Sequence, residues 1–371
     1  MRVPLLDLKR VRARIEEELF EEWSRVLEDM QLLGGRNVKA FEEEIASYLG
    51  ARYAFGVASG SDALLLALLA CGVGQGDEVI LHANAFVAAA EAIKWVGAKP
   101  VLVDMKEEDF GPDPDQVEEK ITERTKALLI VHMYGHPVTM EPIMGLKERY
   151  GIKLIEDCSH AHGAEYKGKK VGTFGDVGCF SCGVVKNLGA FGDAGLCVTD
   201  HPEVAERIDL LRVHGQKVKN RHLFYGFNSR LDELQAVVLR IRLRSLDEEN
   251  RRRREIARLY SGAFSSLEEV IPPPDPDDRV SVYHRYVIRA EDRDGLISFL
   301  AEEGIGTGIH YPQPLHLQEA WEREGFERYH LPVSERVSSQ ILSLPIYPEL
   351  TDGEVEYVIE KVREFYGGRK G

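Results

Sequence analysis

The chain has 371 residues, 44% hydrophobic and 29% charged, a balance that excludes disordered and fibrous classes and leaves room for two domains. Its 47 Lys and Arg against 62 Asp and Glu give a net charge of −15, which argues against nucleic acid and anionic membrane as general partners. Residues 1–9 hold no signal-length apolar core and no apolar run is long enough to span a bilayer; the five cysteines (Cys71, Cys158, Cys179, Cys182, Cys197) are an odd number, so the expectation is a cytoplasmic protein without a disulfide framework.

Apolar residues at helical spacing (Leu19, Phe20, Trp23, Val26, Leu27) predict a helix over 16–30, and a second follows over 38–49. A short strand over 53–57 then leads through Ala58-Ser59-Gly60-Ser61-Asp62 into a helix over 63–70. A strand, a small-residue turn and a helix start make a natural anion site, because unpaired N–H groups and the positive helix end face the turn. The same residues also read as a plain capped helix with Ser59 or Ser61 as N-cap. Gly72-Val73-Gly74-Gln75-Gly76 follows a helix rather than a strand, so it is a poor dinucleotide fingerprint.

The alternation continues with strands over 78–81, 100–104, 127–132 and 153–157 and helices over 85–96, 115–121 and 141–150. This order implies a mostly parallel sheet covered on both faces, with ligands at the carboxyl ends of its strands. Asp157 stands at such an end, as does the Ser59-Gly60-Ser61 turn. His132 and His136 are four apart, but Gly135 and Pro137 break any helix there, so they do not read as a metal pair.

Strands over 176–181 and 195–199 bracket a glycine-rich stretch with Lys186 at its centre, flanked by Val184, Val185 and Leu188. Apolar neighbours favour a desolvated amine of lowered pKa, hence a nucleophile; the alternative is a lysine whose stem covers apolar surface while its head stays in water. Cys179 and Cys182 form a lone C-x-x-C in a strand and turn, the wrong context for redox or zinc chemistry. The lysine does not directly follow a glycine and no Ser or Thr comes after it, so the stretch is not a P-loop.

One long charge-laced helix is predicted over 230–260, with Arg251 to Arg254 on a solvated face or, alternatively, touching an anionic substrate. A stiff polar connector over 271–278 then leads to a small α+β unit. The expected division is a large domain over 1–248 and a small C-terminal domain over 249–371.

A lysine that binds pyridoxal phosphate as a Schiff base needs a carboxylate for the pyridine nitrogen, donors for the phosphate and a flat group over the ring. Asp157, the turn at Gly60-Ser61 with Ser181, and Phe86 offer these in turn. In this order the motifs Ser59 to Leu64, Ala83 to Ala88, Val131 to Gly135, Ile155 to Ala164, Phe180 to Gly189, Asn228 to Ala236, His310-Tyr311-Pro312 and Leu342 to Pro345 resemble the DegT/DnrJ/EryC1/StrS sugar aminotransferases. The resemblance implies a fold type I α/β enzyme, a large α/β/α domain with a mostly parallel central sheet plus a smaller C-terminal α+β domain, dependent on pyridoxal 5'-phosphate. It implies that Lys186 is the Schiff-base lysine and proton carrier, Asp157 the pyridine-nitrogen partner and Phe86 the stacking ring. Gly60, Ser61 and Ser181 would hold the phosphate, and His160 would pack against the cofactor. Asn228 would reach the cofactor of the other subunit in an obligate homodimer. His310 and Tyr311 are candidates for contacting a sugar, or else brace the loop before Pro312.

The expected reaction moves an amino group from an amino acid, L-glutamate in relatives, to a nucleotide-linked keto-sugar, with a dTDP-3-keto-6-deoxyhexose as the best pattern match. Alternatives are a UDP- or GDP-4-keto-sugar, a cyclitol ketone or an amino-hydroxybenzoate precursor, and, from another class, a regulatory protein that binds the cofactor without turnover. Cys182-Gly183-Val184-Val185 is the main departure, standing where the family usually has an aromatic pair or aromatic-His followed by Pro.

Overall fold

Asp7 starts the first helix earlier than hydrophobic spacing indicates, because its side chain accepts from the N–H groups of Lys9 and Arg10. The computed structural model describes residues 1–368. The first half of the chain runs α1 (Leu8–Asp29), α2 (Arg36–Leu49), β1 (Tyr53–Val57), α3 (Gly60–Ala70), β2 (Glu78–His82), α4 (Val87–Trp95), β3 (Lys99–Val103), α5 (Pro114–Lys120), β4 (Thr125–Val131), α6 (Met140–Tyr150) and β5 (Lys153–Asp157). After the short strands β6 (Glu165–Tyr166) and β7 (Lys169–Lys170) come β8 (Val177–Ser181), β9 (Gly195–Thr199), α7 (Pro202–Leu211), β10 (Gln216–Val218) and β11 (Arg221–His222).

The central sheet has the order β1-β9-β8-β5-β4-β2-β3, parallel except where β9 runs against β1 and β8. Side chains from both faces are buried: Leu81, Leu129 and Ile155 pack under α3 and α4, while Ile80, Leu128 and Ile130 pack under α6. All of β2 is buried, so its apolar run needs no alternation. The expected α/β class and mostly parallel sheet are those of the molecule.

The single long helix expected over 230–260 is two, α8 (Glu233–Leu243) and α9 (Leu246–Phe264). The break falls at Arg244 and Ser245, and the Ser245 hydroxyl bonds back to the Arg242 carbonyl. The arginine run is not wholly solvated either. Arg253 is buried and donates to the carbonyls of Tyr283 and Ile346.

The remainder comprises β12 (Val270–Ile271), β13 (Arg279–Val280), β14 (Tyr286–Ala290), α10 (Arg293–Glu302), α11 (Glu319–Arg323), α12 (Pro332–Gln340), β15 (Ile341–Leu344) and α13 (Asp352–Gly367). A second core gathers Tyr260 and Phe264 of α9 with Ile288, Leu342, Val355 and Val358. Val3, from the other end of the chain, joins this core through a bridge to Ile305.

One buried network fixes β5. Glu156 accepts from the N–H groups of Gly172, Phe174 and Gly175 and pairs with His132 at 3.1 Å, and the His132 Nδ1 accepts from Val138. Cys158 stands beside them, but the two carboxylate oxygens and both ring nitrogens are already engaged, which makes this cluster a brace rather than a metal site. His132 and the amide donors hold the Glu156 carboxyl below its ordinary 4.5. Glu156→Ala should therefore destabilise the fold by about 4 kcal/mol, since it leaves several buried donors unpaired. Urea unfolding measures the loss. The Glu156 contribution is complete above pH 4.5, where the unfolded carboxyl is ionised, and disappears as pH falls through its lower folded value, so the wild-type and mutant curves should converge in acid.

Candidate active site

Asp157 ends β5, Ser181 ends β8 and Gly60 begins α3, so three elements converge at one edge of the sheet. The gap between them is a cavity of about 290 Å³ lined by Ser59, Gly60, Ser61, Phe86, Asp157, Ser159, His160, Ser181, Lys186 and Asp193, and by Gly183, Val184 and Val185. Seven of the sequence-predicted residues thus share one site.

The end of the cavity at the start of α3 is built by close approach. A Cβ on Gly60 would stand 2.5 Å from the Cβ of Ser181, and one on Gly195 would stand 2.1 Å from the Ser59 carbonyl. Only glycine lets the first turn of α3 sit this near the ends of β8 and β9. Ser59 caps the helix by accepting from the Asp62 N–H, and the N–H groups of the first turn have no intrahelical partner. The capped-helix reading holds, and the capped start opens on the cavity.

At the other end Asp157 is only 5% exposed. Its Oδ1 accepts from the Ser159 N–H, whose own hydroxyl accepts from Ser181. Burial raises the Asp157 pKa, while the Ser159 hydrogen bonds and the charge of Lys186 oppose that rise. No cation is in hydrogen-bond contact with this carboxylate among the described residues.

Lys186 is half-buried in a loop tied down from several sides. Its own N–H bonds the Gly183 carbonyl, and Arg242 holds the carbonyls of Asn187 and Gly189. Asn187 is clamped to Asn250 and to the Val282 carbonyl. Burial lowers the Lys186 pKa to about 8; the attraction of Asp157 opposes this and the nearby charge of Arg285 adds to it. A lysine so placed is an available amine near neutral pH.

His160 accepts at Nδ1 from the Tyr134 N–H and stacks on His284 at 4.5 Å. Burial, with Lys186 and Arg285 close by, pushes its pKa well down, so the ring is neutral. Phe86, 47% exposed, lies at the rim with its ring 5.1 Å from Tyr311. His310 bonds Ser343 through Nδ1, and its carbonyl accepts from the Tyr134 hydroxyl at 2.6 Å. Asn228 is not in this cavity. It lines an adjacent one of about 390 Å³ with Ala58, Arg230 and Gln235, and Asp193 borders both.

Sequence reasoning missed Arg285, Tyr134 and His284 as neighbours of the site. Tyr134 lay within a quoted motif, but Arg285 in Val282-Tyr283-His284-Arg285-Tyr286 gives no local signal.

The chain matches the model of the DegT/DnrJ/EryC1/StrS aminotransferase family over residues 13–363. It is 44% identical over 370 residues to the dTDP-3-amino-3,6-dideoxy-alpha-D-galactopyranose transaminase of Aneurinibacillus thermoaerophilus, covering 98% of this chain and 99% of that protein. It is 42% identical to a pleiotropic regulatory protein of Geobacillus stearothermophilus, covering 99% of each. Among solved structures, DesV of S. venezuelae in complex with a ketimine intermediate superposes with a TM-score of 0.96 at 43% identity, covering 98% of each chain.

The residues at hand fit the family's cofactor: a buried carboxylate without a cation in contact, a glycine-lined helix start for a phosphate, and an amine of low basicity between them. In protein stripped of cofactor, covalent capture of Lys186 by pyridoxal phosphate, trapped with borohydride and read by peptide mapping, should rise with pH and reach half its maximum near pH 8. A midpoint near the ordinary 10.5 would show that the amine is not desolvated.

Proposed function

The chain belongs to the DegT/DnrJ/EryC1/StrS aminotransferase family and is a pyridoxal-phosphate-dependent aminotransferase, and from that premise we propose that it moves the amino group of L-glutamate to a dTDP-linked 3-keto-6-deoxyhexose. The observation that carries the substrate reading is the identity of 44%, end to end, with a transaminase of a dTDP-3-amino-3,6-dideoxyhexose.

When bound, pyridoxal phosphate supplies an aldehyde that takes the donor's nitrogen and a protonated ring that draws off the electron pair left on the donor carbon. Asp157, buried at the end of β5, would hold the proton on the ring nitrogen. The amides of Gly60 and Ser61 and the hydroxyl of Ser181 would bind the phosphate at the positive end of α3. Phe86 and His160 would pack against the ring. Lys186 would anchor the cofactor through Nζ and carry the proton from the donor carbon, and in the half-reaction with the keto-sugar it would carry it the opposite way.

His310 and Tyr311, carried by the small domain, face the sugar. Asn228 serves a neighbouring subunit, which makes the enzyme a homodimer with shared sites. Its position in a separate cavity supports this, since within one chain it does not line the Lys186 cavity. No helix of the described residues is long and apolar enough to cross a membrane.

The regulatory name of one relative makes turnover the discriminating property. L-Glutamate should bleach the visible absorption of the bound cofactor, and a dTDP-3-keto-6-deoxyhexose should restore it with formation of an amino-sugar of the expected mass. A panel of 3-keto and 4-keto dTDP-, UDP- and GDP-sugars tests the acceptor; a response confined to a 4-keto or a UDP-sugar would overturn the assignment. Lys186→Ala should lower the rate of both half-reactions by roughly 10²- to 10⁴-fold, as loss of a proton-transfer group does.

A further inference from the structure

Ser229 is fully buried, between Asn228 and Arg230, which both line the adjacent cavity. Its hydroxyl donates to the Asp62 carboxylate at 2.6 Å and accepts from the Ala58 N–H at 3.2 Å, and its own N–H bonds the Arg212 carbonyl. One side chain thereby joins the residue before the Ser59-Gly60-Ser61 turn to the first turn of α3 that follows it.

Those contacts leave a capping box half made. In a complete box the N-cap hydroxyl accepts the N–H three residues on, and the acid at that position reaches back to the N-cap N–H. α13 has both halves: Thr351 Oγ1 accepts from the Glu354 N–H, and the Glu354 carboxylate accepts from the Thr351 N–H at 2.9 Å. Ser59 and Asp62 have the same spacing at the start of α3, and Ser59 Oγ accepts from the Asp62 N–H at 3.1 Å. The Asp62 carboxylate, however, is taken by Ser229. Among the described residues no acceptor pairs with the N–H groups of Ser59, Gly60 or Ser61, all three of which line the Lys186 cavity.

Two of these amides are free because a helix start leaves them so; the third is free because the acid is held aside. A carboxylate closing on Ser59 would occupy that donor and bring a negative charge to the turn where an anion is to bind.

We propose that Ser229 is a positioning residue for the cofactor phosphate: by holding the Asp62 carboxylate away from Ser59 it keeps the capping box of α3 open, and the Ser59 N–H serves the phosphate beside those of Gly60 and Ser61. This rests on the placement of the phosphate at the start of α3 given above, and adds to it a residue that touches neither cofactor nor substrate.

The test uses protein stripped of cofactor and compares pyridoxal phosphate with pyridoxal, which can bond Lys186 but carries no phosphate, both read from the absorbance of the bound form. In Ser229→Ala the dissociation constant of pyridoxal phosphate should rise roughly 10- to 100-fold, the loss of a hydrogen bond to a charged group. That of pyridoxal should stay within about threefold of wild type, whereas a general loss of packing would weaken both. Ser229→Cys, of nearly the same volume but a weaker donor, should fall between. The double variant Asp62→Ala, Ser229→Ala has no acid to close on Ser59, so its pyridoxal phosphate constant should return to within about threefold of wild type. The phosphorus NMR resonance of the bound cofactor should move in Ser229→Ala and return in the double variant, a readout independent of turnover.

An unchanged pyridoxal phosphate constant in both Ser229 variants would overturn the proposal, and so would equal losses with the two ligands or a double variant as weak as Ser229→Ala. Ser181→Ala tests the placement of the phosphate separately: it should weaken pyridoxal phosphate and spare pyridoxal. If it weakens neither, that placement is overturned and the role of Ser229 with it; if it weakens pyridoxal phosphate alone and the Ser229 variants do not, only the role of Ser229 is lost.

Discussion

Asp157 and Lys186 face each other across one cavity, close enough to attract and too far apart to touch. That separation is the constraint on which the site depends. In contact, the pair would neutralise itself and leave nothing for a ligand to complete. Held apart, each stays partly desolvated and unsatisfied, which keeps the amine near pH 8 and the carboxylate in need of a cation. The scaffold maintains the gap from both sides. Glu156, the residue before Asp157, is fixed by buried amides, and Asn187, the residue after Lys186, is fixed by α9 and by Val282.

The third side of the cavity is set by glycine rather than by charge. Gly60 and Gly195 allow the start of α3 to pack directly on the ends of β8 and β9, where any side chain would collide. The helix N-terminus is thereby brought to the strand ends that carry Asp157 and Ser181, and its unpaired amides face the cavity instead of solvent. Residues 310 and 311 contribute the rim, with Tyr311 against Phe86 and the His310 carbonyl held by Tyr134.

Much of this was legible because α/β alternation is a strong signal: once strands and helices alternate, the ends of β5 and β8 and the turn before α3 must meet at one edge. What failed to show was settled by distant partners. Hydrophobic spacing runs through Arg244 and Ser245 without interruption, so the break between α8 and α9 leaves no trace in periodicity. Arg253 reads as one of four solvated arginines, yet carbonyls from Tyr283 and Ile346 take it into the interior. Arg285 is a lone charge among aromatic and apolar residues, and only the fold reveals that it has no counter-charge. For Lys186 the reverse holds. Its local sequence favoured a solvated head over a desolvated nucleophile, and the fold instead sets it against the cavity with its basicity lowered by burial.

The chain as a whole repels anions, at a net −15, while the family it belongs to acts on nucleotide-linked sugars. The two facts are reconciled by where the positive charge sits. Lys186 lines the cavity at the strand ends and Arg285 is buried, so their fields are less screened by water than those of the surface carboxylates. A low-dielectric cleft focuses such a field over a short range. The acidic exterior then does not prevent a small anion from entering. The basic groups inside lose basicity through burial, so the site gains attraction for anions together with an amine that is available for chemistry.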